Sequence, residues 1–271
     1  MIPTLGRKSG WTVLYGAAIA ASFCPITLQL LFATVAIGIL GMAHGASDLA
    51  VVRPGKKALF LCCYVALMAV CLFGWQVFPA SALPIFLLAS AIHFTIEEPP
   101  EGGWLKRLAL GVGLITIPAV FYRQDTAVLL SYAGFSPHFL EGFMHAMQGI
   151  GLLCVALLLV AALPKKEYQT VAGALSLLFF PPLIGFSIGF LILHAFPQTD
   201  ERRCALGCKN YYDYLGSTWP ILGGALLFSF LTVIFFLPAA QNTVRTLFTL
   251  LTALALPHLL ITPLFESNRK N

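Results

Sequence analysis

The stretch Gly41–Asp48, GMAHGASD, places a histidine and a carboxylate four residues apart at the end of a long apolar run. Such a pair is costly to hold in lipid, so an ionisable residue inside a membrane segment marks a functional site by default. Three further histidines, His93, His194 and His258, lie in comparable positions on other apolar runs. We therefore expect these four side chains to meet around one metal inside a bundle of membrane helices.

The composition excludes an ordinary soluble domain. Of the 271 residues, 59% are hydrophobic and 10% are charged, whereas about a quarter of a typical soluble domain is charged. Apolar runs of about 17–25 residues, the length that spans a bilayer as a helix, recur along the chain. We predict an all-α fold, a polytopic transmembrane helix bundle of 8–10 membrane segments, with residues 1–271 forming a single integral membrane domain.

Ten apolar segments are candidates for membrane helices. They cover residues 11–24, 26–48, 57–78, 82–97, 104–122, 138–163, 168–180, 183–199, 214–237 and 243–265. The segments 11–24 and 168–180 are short. Residues 11–24 follow Arg7 and Lys8 and also resemble a signal peptide, although a first membrane helix is the preferred interpretation.

The basic residues are distributed as orientation signals. If the segments alternate between sides and the N-terminus is cytoplasmic, fourteen Lys and Arg residues fall on the cytoplasmic face and two, Arg123 and Arg245, on the other. This is the bias of the positive-inside rule, so we predict that both termini are cytoplasmic. The net charge of +5 is spread between apolar runs and forms no patch for nucleic acid.

The seven cysteines do not suggest a disulfide framework. Their number is odd, and most lie inside apolar segments, where cysteine behaves as a small hydrophobic residue. Cys204 and Cys208 lie four residues apart in a polar loop. No second pair accompanies them, so we do not predict a metal site there.

Four of the six histidines are sorted into one layer of the predicted topology. Each of the four lies in the last half of a helix that runs toward the cytoplasm, and at ~1.5 Å per residue their depths agree within a turn or two. His138 and His145 lie on a helix that starts from the outer side and are not expected to reach the others. A single histidine would be interpreted as a packed core residue, but four at one level favour a metal site.

Each of the four histidines has a polar companion four residues later on the same helix face. The pairs are His44 with Asp48, His93 with Glu97, His194 with Gln198, and His258 with Thr262. Such a companion typically accepts the second ring N–H of a metal-bound histidine and fixes its orientation. All-nitrogen ligation is compatible with Zn, Cu, Ni or Fe, and the residues alone do not choose among them.

The segments that carry the histidines resemble a known family. Gly41–Asp48, Ala91–Phe94, Phe186–His194 and Leu256–Leu259 are similar in order and spacing to motifs of the Brp/Blh-type β-carotene 15,15′-dioxygenases of bacteria and archaea. The resemblance implies an integral membrane enzyme of the cell (inner or plasma) membrane that uses Fe²⁺ and O₂ to cleave the central double bond of β-carotene into two molecules of retinal. It implies a membrane-dissolved carotenoid and O₂ as partners. The predicted topology of the segments puts the metal site nearer the cytoplasmic side.

One position departs from the family pattern. The family has a further histidine, thought to be a ligand, four residues after the one that matches His194, and this chain has Gln198 there, after Pro197. Glutamine is a poor iron ligand. Either His258 completes a four-histidine set, or three histidines are joined by a carboxylate or water. A diverged protein with another substrate, or with no catalytic activity, is the third possibility.

Two other functions remain open from the residues alone. A membrane iron oxygenase could act as a hydroxylase or desaturase on another lipid. A non-enzymatic transporter could use intramembrane histidines and carboxylates as a proton relay. We assign no residue to substrate binding, because phenylalanine is common as packing and lipid-facing filler in membrane helices.

Overall fold

The structure, a computed structural model, describes residues 4–98, 102–237 and 242–265, with side chains from residue 10 onward apart from Pro54. Within these ranges the chain forms helices and no strand, which confirms the all-α prediction. The long helices are α1 (Thr4–Ser22), α2 (Ile26–Val51), α3 (Lys57–Val77), α4 (Pro79–Glu97), α5 (Gly103–Ala119), α6 (Arg123–Ala133), α7 (Pro137–Ala162), α8 (Tyr168–Phe179), α9 (Pro182–Ala205), α10 (Tyr211–Phe235) and α11 (Thr243–Phe265).

Seven of the described helices are long and apolar enough to cross a bilayer, and α5 with α6 makes an eighth if that bent pair is one span. The fold is therefore a polytopic membrane bundle, and its seven candidate spans reach the predicted range of 8–10 only if the bent pair is counted. Helix α8 has 12 residues and is about 18 Å long, too short for a hydrocarbon core of about 30 Å. The single-domain assignment and the cytoplasmic termini stay predictions.

Helix α1 is not among these spans, but it packs against the bundle. The Tyr15 hydroxyl lies 3.0 Å from Ser176 Oγ, and Ala18 is fully buried. The Trp11 ring meets that of Phe196 edge-on at a centroid distance of 5.7 Å. Residues 11–22 thus form part of a helix that packs on the bundle, and the preferred interpretation as a first membrane helix stays a prediction.

The predicted segment 104–122 corresponds to α5, which ends at Ala119. Helices α5 and α6 meet at an angle of 100°, close to Pro118, whose missing N–H and bulky ring interrupt a helix. Helix α6 ends at Gly134, which has a φ of +107°, and the N–H of Phe135 bonds to the Leu130 carbonyl as in a Schellman motif. Gly134 lies against Pro79, the first residue of α4.

Two polar contacts join helix ends that lie on the same side of the membrane if the segments alternate in direction as predicted. Lys106 Nζ donates to Glu167 Oε2 at 2.6 Å, so the start of α5 and the start of α8 lie at one end of the bundle. This hydrogen bond to the Lys106 ammonium lowers the pKa of Glu167. Arg245 Nη2 donates to the Trp75 carbonyl at 3.1 Å and joins the start of α11 to the end of α3.

Small residues allow α4, α5 and α7 to approach closely. A Cβ atom on Gly111 would lie 2.5 Å from the backbone nitrogen of Thr95 and 2.7 Å from the Ala91 carbonyl oxygen. A Cβ on Gly151 would lie 2.5 Å from the Thr116 carbonyl oxygen. Close backbone packing of this kind is the main source of helix association in lipid, and it fixes the height of α4, which carries His93.

We expect Gly111→Ala to destabilise the protein, because its Cβ would collide with backbone atoms that cannot rotate away. The expected loss is about 1–3 kcal/mol, the usual cost of overpacking. Thermal unfolding in detergent measures it. Gly149→Ala on α7 is the control, since a Cβ there meets nothing within 4 Å, and equal midpoints for the two variants would contradict the prediction.

Candidate metal centre

The structure brings together the four histidines of the predicted layer. His44 on α2, His93 on α4, His194 on α9 and His258 on α11 are between 2% and 8% exposed. Ring centroids are 5.2 Å apart for His44 and His258, 5.2 Å for His93 and His258, 5.2 Å for His44 and His194, and 5.3 Å for His93 and His194. Four imidazoles from four separate helices thus enclose one small volume.

Two of these histidines lie at or beside turns that depart from regular α-helix. The sequence patterns did not predict these turns. Leu191–Ala195, which contains His194, is a π-helical turn, and so is Ala36–Leu40 on α2. Two 3₁₀ turns, Gly41–Ala43 and Gly45–Ser47, flank His44. Such π segments occur mostly as single turns inside α-helices and are frequent at functional sites.

Two glycines next to His44 permit close approach of the other helices. A Cβ on Gly41 would lie 2.5 Å from Cε1 of Phe190. A Cβ on Gly45 would lie 3.5 Å from Nδ1 of His258. The His44 Nδ1 atom hydrogen-bonds to the Gly41 carbonyl, so Nδ1 carries the proton and Nε2 keeps the lone pair that a metal would use.

Asp48 is bonded to a different histidine from the one predicted. Its Oδ2 accepts from His258 Nδ1 at 2.7 Å and from Thr262 Oγ1 at 2.8 Å. The predicted pairs of His44 with Asp48 and of His258 with Thr262 are therefore wrong. The 3₁₀ turns between residues 41 and 47 rotate the helix face, so His44 and Asp48 no longer stand one above the other as they would in a regular α-helix.

Glu97 contacts two histidines. Its Oε2 lies 3.2 Å from His93 Nε2, the predicted companion, and 3.6 Å from His194 Nε2. His93, Glu97 and His194 each offer one ligand atom, and these atoms all lie within 4.8 Å of one another. These three residues could therefore hold a metal ion, and the choice between the two ligand sets that the sequence left open stays a prediction.

Gln198 was predicted to be the companion of His194, but its amide bonds to another residue. Its Nε2 donates to the backbone carbonyl of Glu97 at 3.0 Å and ties α9 to the end of α4. The π turn begins before Pro197 and includes Leu193, the residue whose carbonyl the proline ring would crowd in a regular helix. The shifted helix turn carries the Gln198 side chain away from His194 and toward the Glu97 backbone.

Several buried polar atoms of this cluster have no hydrogen-bond partner. They are His194 Nε2, His258 Nε2, Asp48 Oδ1 and Glu97 Oε2, the last of which lies within ion-pair distance of His93 and His194 but in a geometry that makes no hydrogen bond. Buried polar groups are almost always satisfied in native proteins, so these atoms require an explanation. Glu97 Oε2 and His194 Nε2 belong, with a nitrogen of His93, to the group of donor atoms that lie within 4.8 Å of one another and could hold a metal ion; His44 and His258 lie outside that group.

Other chemistry-bearing residues lie outside the cluster. His145 is bonded to Arg123 and Glu141 near the start of α7, and His138 packs on Phe139. Cys204 is exposed and accepts from Arg203, while Cys208 lies 4.0 Å from Ser217. Neither cysteine belongs to a metal-binding group of the described residues.

Tyr214 is a part of the centre that sequence reasoning missed. It is fully buried, and its hydroxyl donates to the Ala43 carbonyl at 2.8 Å. This bond holds the turn before His44 against α10. Local sequence did not distinguish it from Tyr212, which is 86% exposed as an interfacial residue would be, because the contact joins residues 171 positions apart.

An apolar cavity of about 480 Å³ adjoins the four histidines. Its walls include Ile37, Phe86, Phe186, Phe190, Phe248 and Leu251. Along α11 it runs from His258 back to Leu247, a distance of about 16 Å at 1.5 Å per residue. The centre therefore opens into a long space suited to an extended apolar molecule.

Comparison with known proteins shows the family of the chain. Residues 35–266 match the family described as beta-carotene 15,15'-dioxygenase. The chain belongs to that family. It is 26% identical over 253 residues to the beta-carotene 15,15'-dioxygenase of uncultured marine bacterium 66A03, covering 82% of this chain and 88% of the relative. No solved structure matches the chain.

Family membership confirms the resemblance drawn from the four motifs. It supports an oxygenase as the class of enzyme. The described helices support a multi-pass membrane protein. The ligand role of each histidine stays a prediction.

We expect purified protein to hold one divalent metal ion per chain and His194→Ala to lose it. The alanine removes a donor from the centre of the cluster and leaves Glu97 without one of its two histidines. Elemental analysis and titration with Co²⁺ measure the occupancy. His145→Ala should retain the metal, because His145 lies outside the cluster, and equal occupancy in both variants would contradict the assignment.

We expect Asp48→Asn to weaken metal binding about 10–100-fold, the usual effect of removing the acceptor that orients a ligating histidine. The change removes the carboxylate that accepts from His258 Nδ1 and leaves the shape nearly unchanged. Co²⁺ titration of the purified variant measures the affinity. Asp125→Asn, in the first turn of α6, is the control, and an unchanged affinity in Asp48→Asn would argue against His258 as a ligand.

Proposed function

We propose that this protein is an integral membrane non-haem Fe(II) dioxygenase that cleaves the central double bond of β-carotene, or of a related carotenoid, with O₂ to give retinal. The observation that carries the proposal is the set of four buried histidines and one carboxylate at the end of a long apolar cavity. The family match supports the same reaction.

The residues that would hold iron are His44, His93 and His194, with His258 or Glu97 as the further donor. When bound, the iron supplies binding and activation of O₂. Asp48 accepts the Nδ1 proton of His258 and the Gly41 carbonyl that of His44. Both rings are thereby held with Nε2 free for the metal. The Tyr214 hydroxyl and the Gln198 amide fix the backbone on either side of the cluster.

The reaction balances without a further reductant. The carbon–carbon double bond breaks, and each of its two carbon atoms receives one oxygen atom of O₂ as a carbonyl. The protein must therefore place a single bond of the polyene beside the cluster and limit water. Apolar walls achieve both, and positioning of this kind supplies a large part of many enzymatic rate enhancements.

The location of the site suits a substrate that dissolves in the bilayer. The cavity is lined by residues of several membrane-spanning helices, and Leu61 and Val65, at 41% and 60% exposure, connect it to the outer surface of α3. A carotenoid entering from the lipid would avoid transfer through water. We propose that the protein lies in the cell membrane with both termini cytoplasmic. The histidines would then lie nearer the cytoplasmic side, where the basic loops follow their helices.

We expect expression of the wild-type protein in β-carotene-accumulating bacterial cells to bleach the pigment and to yield retinal, measured by chromatography of extracts. His44→Ala should leave the colour, because it removes one donor of the cluster. His145→Ala should bleach like the wild type.

Persistent colour with well-inserted, iron-containing wild-type protein would contradict the proposed function. A lipid hydroxylase or desaturase would give that result with no apocarotenal. A transporter with a proton relay would contain no iron, so metal analysis of the same preparation separates the two.

A further inference from the structure

One polar side chain of the cavity is unaccounted for by the metal centre. Thr126, on α6, lines the cavity and is 6% exposed. Its Oγ1 is buried and has no hydrogen-bond partner. A hydroxyl in this condition is destabilising unless a ligand or water supplies the missing bond.

Other buried threonines of the described helices show the usual solution. Thr116, Thr249 and Thr252 each donate to the carbonyl four residues earlier, at 2.9, 2.8 and 2.7 Å. In Thr126 the backbone N–H bonds to the Tyr122 carbonyl at 2.9 Å, and the hydroxyl has no such bond. The Thr126 hydroxyl is therefore available to form a hydrogen bond with a molecule inside the cavity.

Thr126 lies at the end of the cavity that is remote from the histidines. Helix α6 ends at Gly134 against Pro79, which precedes His93 by fourteen residues, or about 21 Å along α4. Helix α6 also packs against α11, along which the cavity extends about 16 Å from His258 to Leu247. The part of a bound molecule that lies in this cavity thus extends from the metal centre toward Thr126.

These distances agree with half of a carotenoid. An extended chain advances roughly 1.2 Å per bond, so the roughly ten bonds from the central double bond to a terminal ring cover about 12 Å. The ring and a substituent on it add a few ångströms. With the central bond at the histidines, the far edge of the ring reaches the region of Thr126.

We propose that Thr126 hydrogen-bonds an oxygen atom on the terminal ring of the substrate, and that the protein therefore binds and cleaves carotenoids hydroxylated on one ring in preference to β-carotene. This inference rests on the proposed function. The hydroxyl of Thr126 can accept a proton from a ring hydroxyl or donate one to it, and the surrounding apolar wall offers the ring no competing water. The products would be one retinal and one ring-hydroxylated retinal.

The test compares equilibrium binding of two carotenoids to metal-free protein in detergent. The probes are β-carotene and its singly ring-hydroxylated analogue β-cryptoxanthin, followed by the absorption change on binding. The variants are Thr126→Val, which keeps the shape and removes the hydroxyl, and Thr126→Ser, which keeps the hydroxyl. Thr252→Val is the control, since Thr252 donates to the Phe248 carbonyl and does not line the cavity.

Wild type, Thr126→Ser and Thr252→Val should bind the hydroxylated probe about fivefold more tightly than β-carotene, the effect of one neutral hydrogen bond. Thr126→Val should lose this preference with little change for β-carotene. An unchanged ratio in Thr126→Val would overturn the proposal, and so would a wild type that binds neither probe. Failure of the iron-loaded protein to cleave either carotenoid would instead overturn the proposed function, because the binding ratio is measured without metal.

Discussion

Imidazole and carboxylate groups buried in a membrane bundle need partners, and this requirement governs the structure around His44, His93, His194 and His258. Each ring is at most 8% exposed, so water cannot satisfy its nitrogens. Protein groups satisfy part of the set, as Asp48 does for His258. Glu97 Oε2 and His194 Nε2 lie 3.6 Å apart without a hydrogen bond, and a cation bound between them would complete the network.

The irregular helix turns are a consequence of bringing four rings to one point. In a regular α-helix the direction of each side chain is fixed by the 3.6-residue turn. That periodicity alone does not direct both His44 and His194 at a shared centre. The π turns at Ala36–Leu40 and Leu191–Ala195 and the 3₁₀ turns around His44 change the local helical phase. Such turns are destabilising in isolation, and close packing at Gly41 and the Tyr214 bond hold them in place.

The apolar cavity and the polar centre together explain the chemistry that the family membership supports. Binding a polyene requires a long apolar space, while oxygen chemistry requires polar donors at one position in it. The cavity meets the histidines near one end and reaches Thr126 toward the other. Because these two polar features lie at separate positions along an apolar wall, one can hold the reacting bond while the other recognises the end of the molecule.

The sequence by itself determined the fold class, the approximate spans and the level of the four histidines, because hydropathy and charge act locally and length alone sets depth in a bilayer. The same local logic found Glu97 beside His93. It could not find the pairing of Asp48 with His258, the placement of Gln198 on the Glu97 carbonyl, or the burial of Tyr214. Those contacts join residues 101 to 210 positions apart, and they depend on turn types that regular helical periodicity does not encode. Tertiary packing decided them, because only the folded bundle fixes which face each helix turns toward the centre.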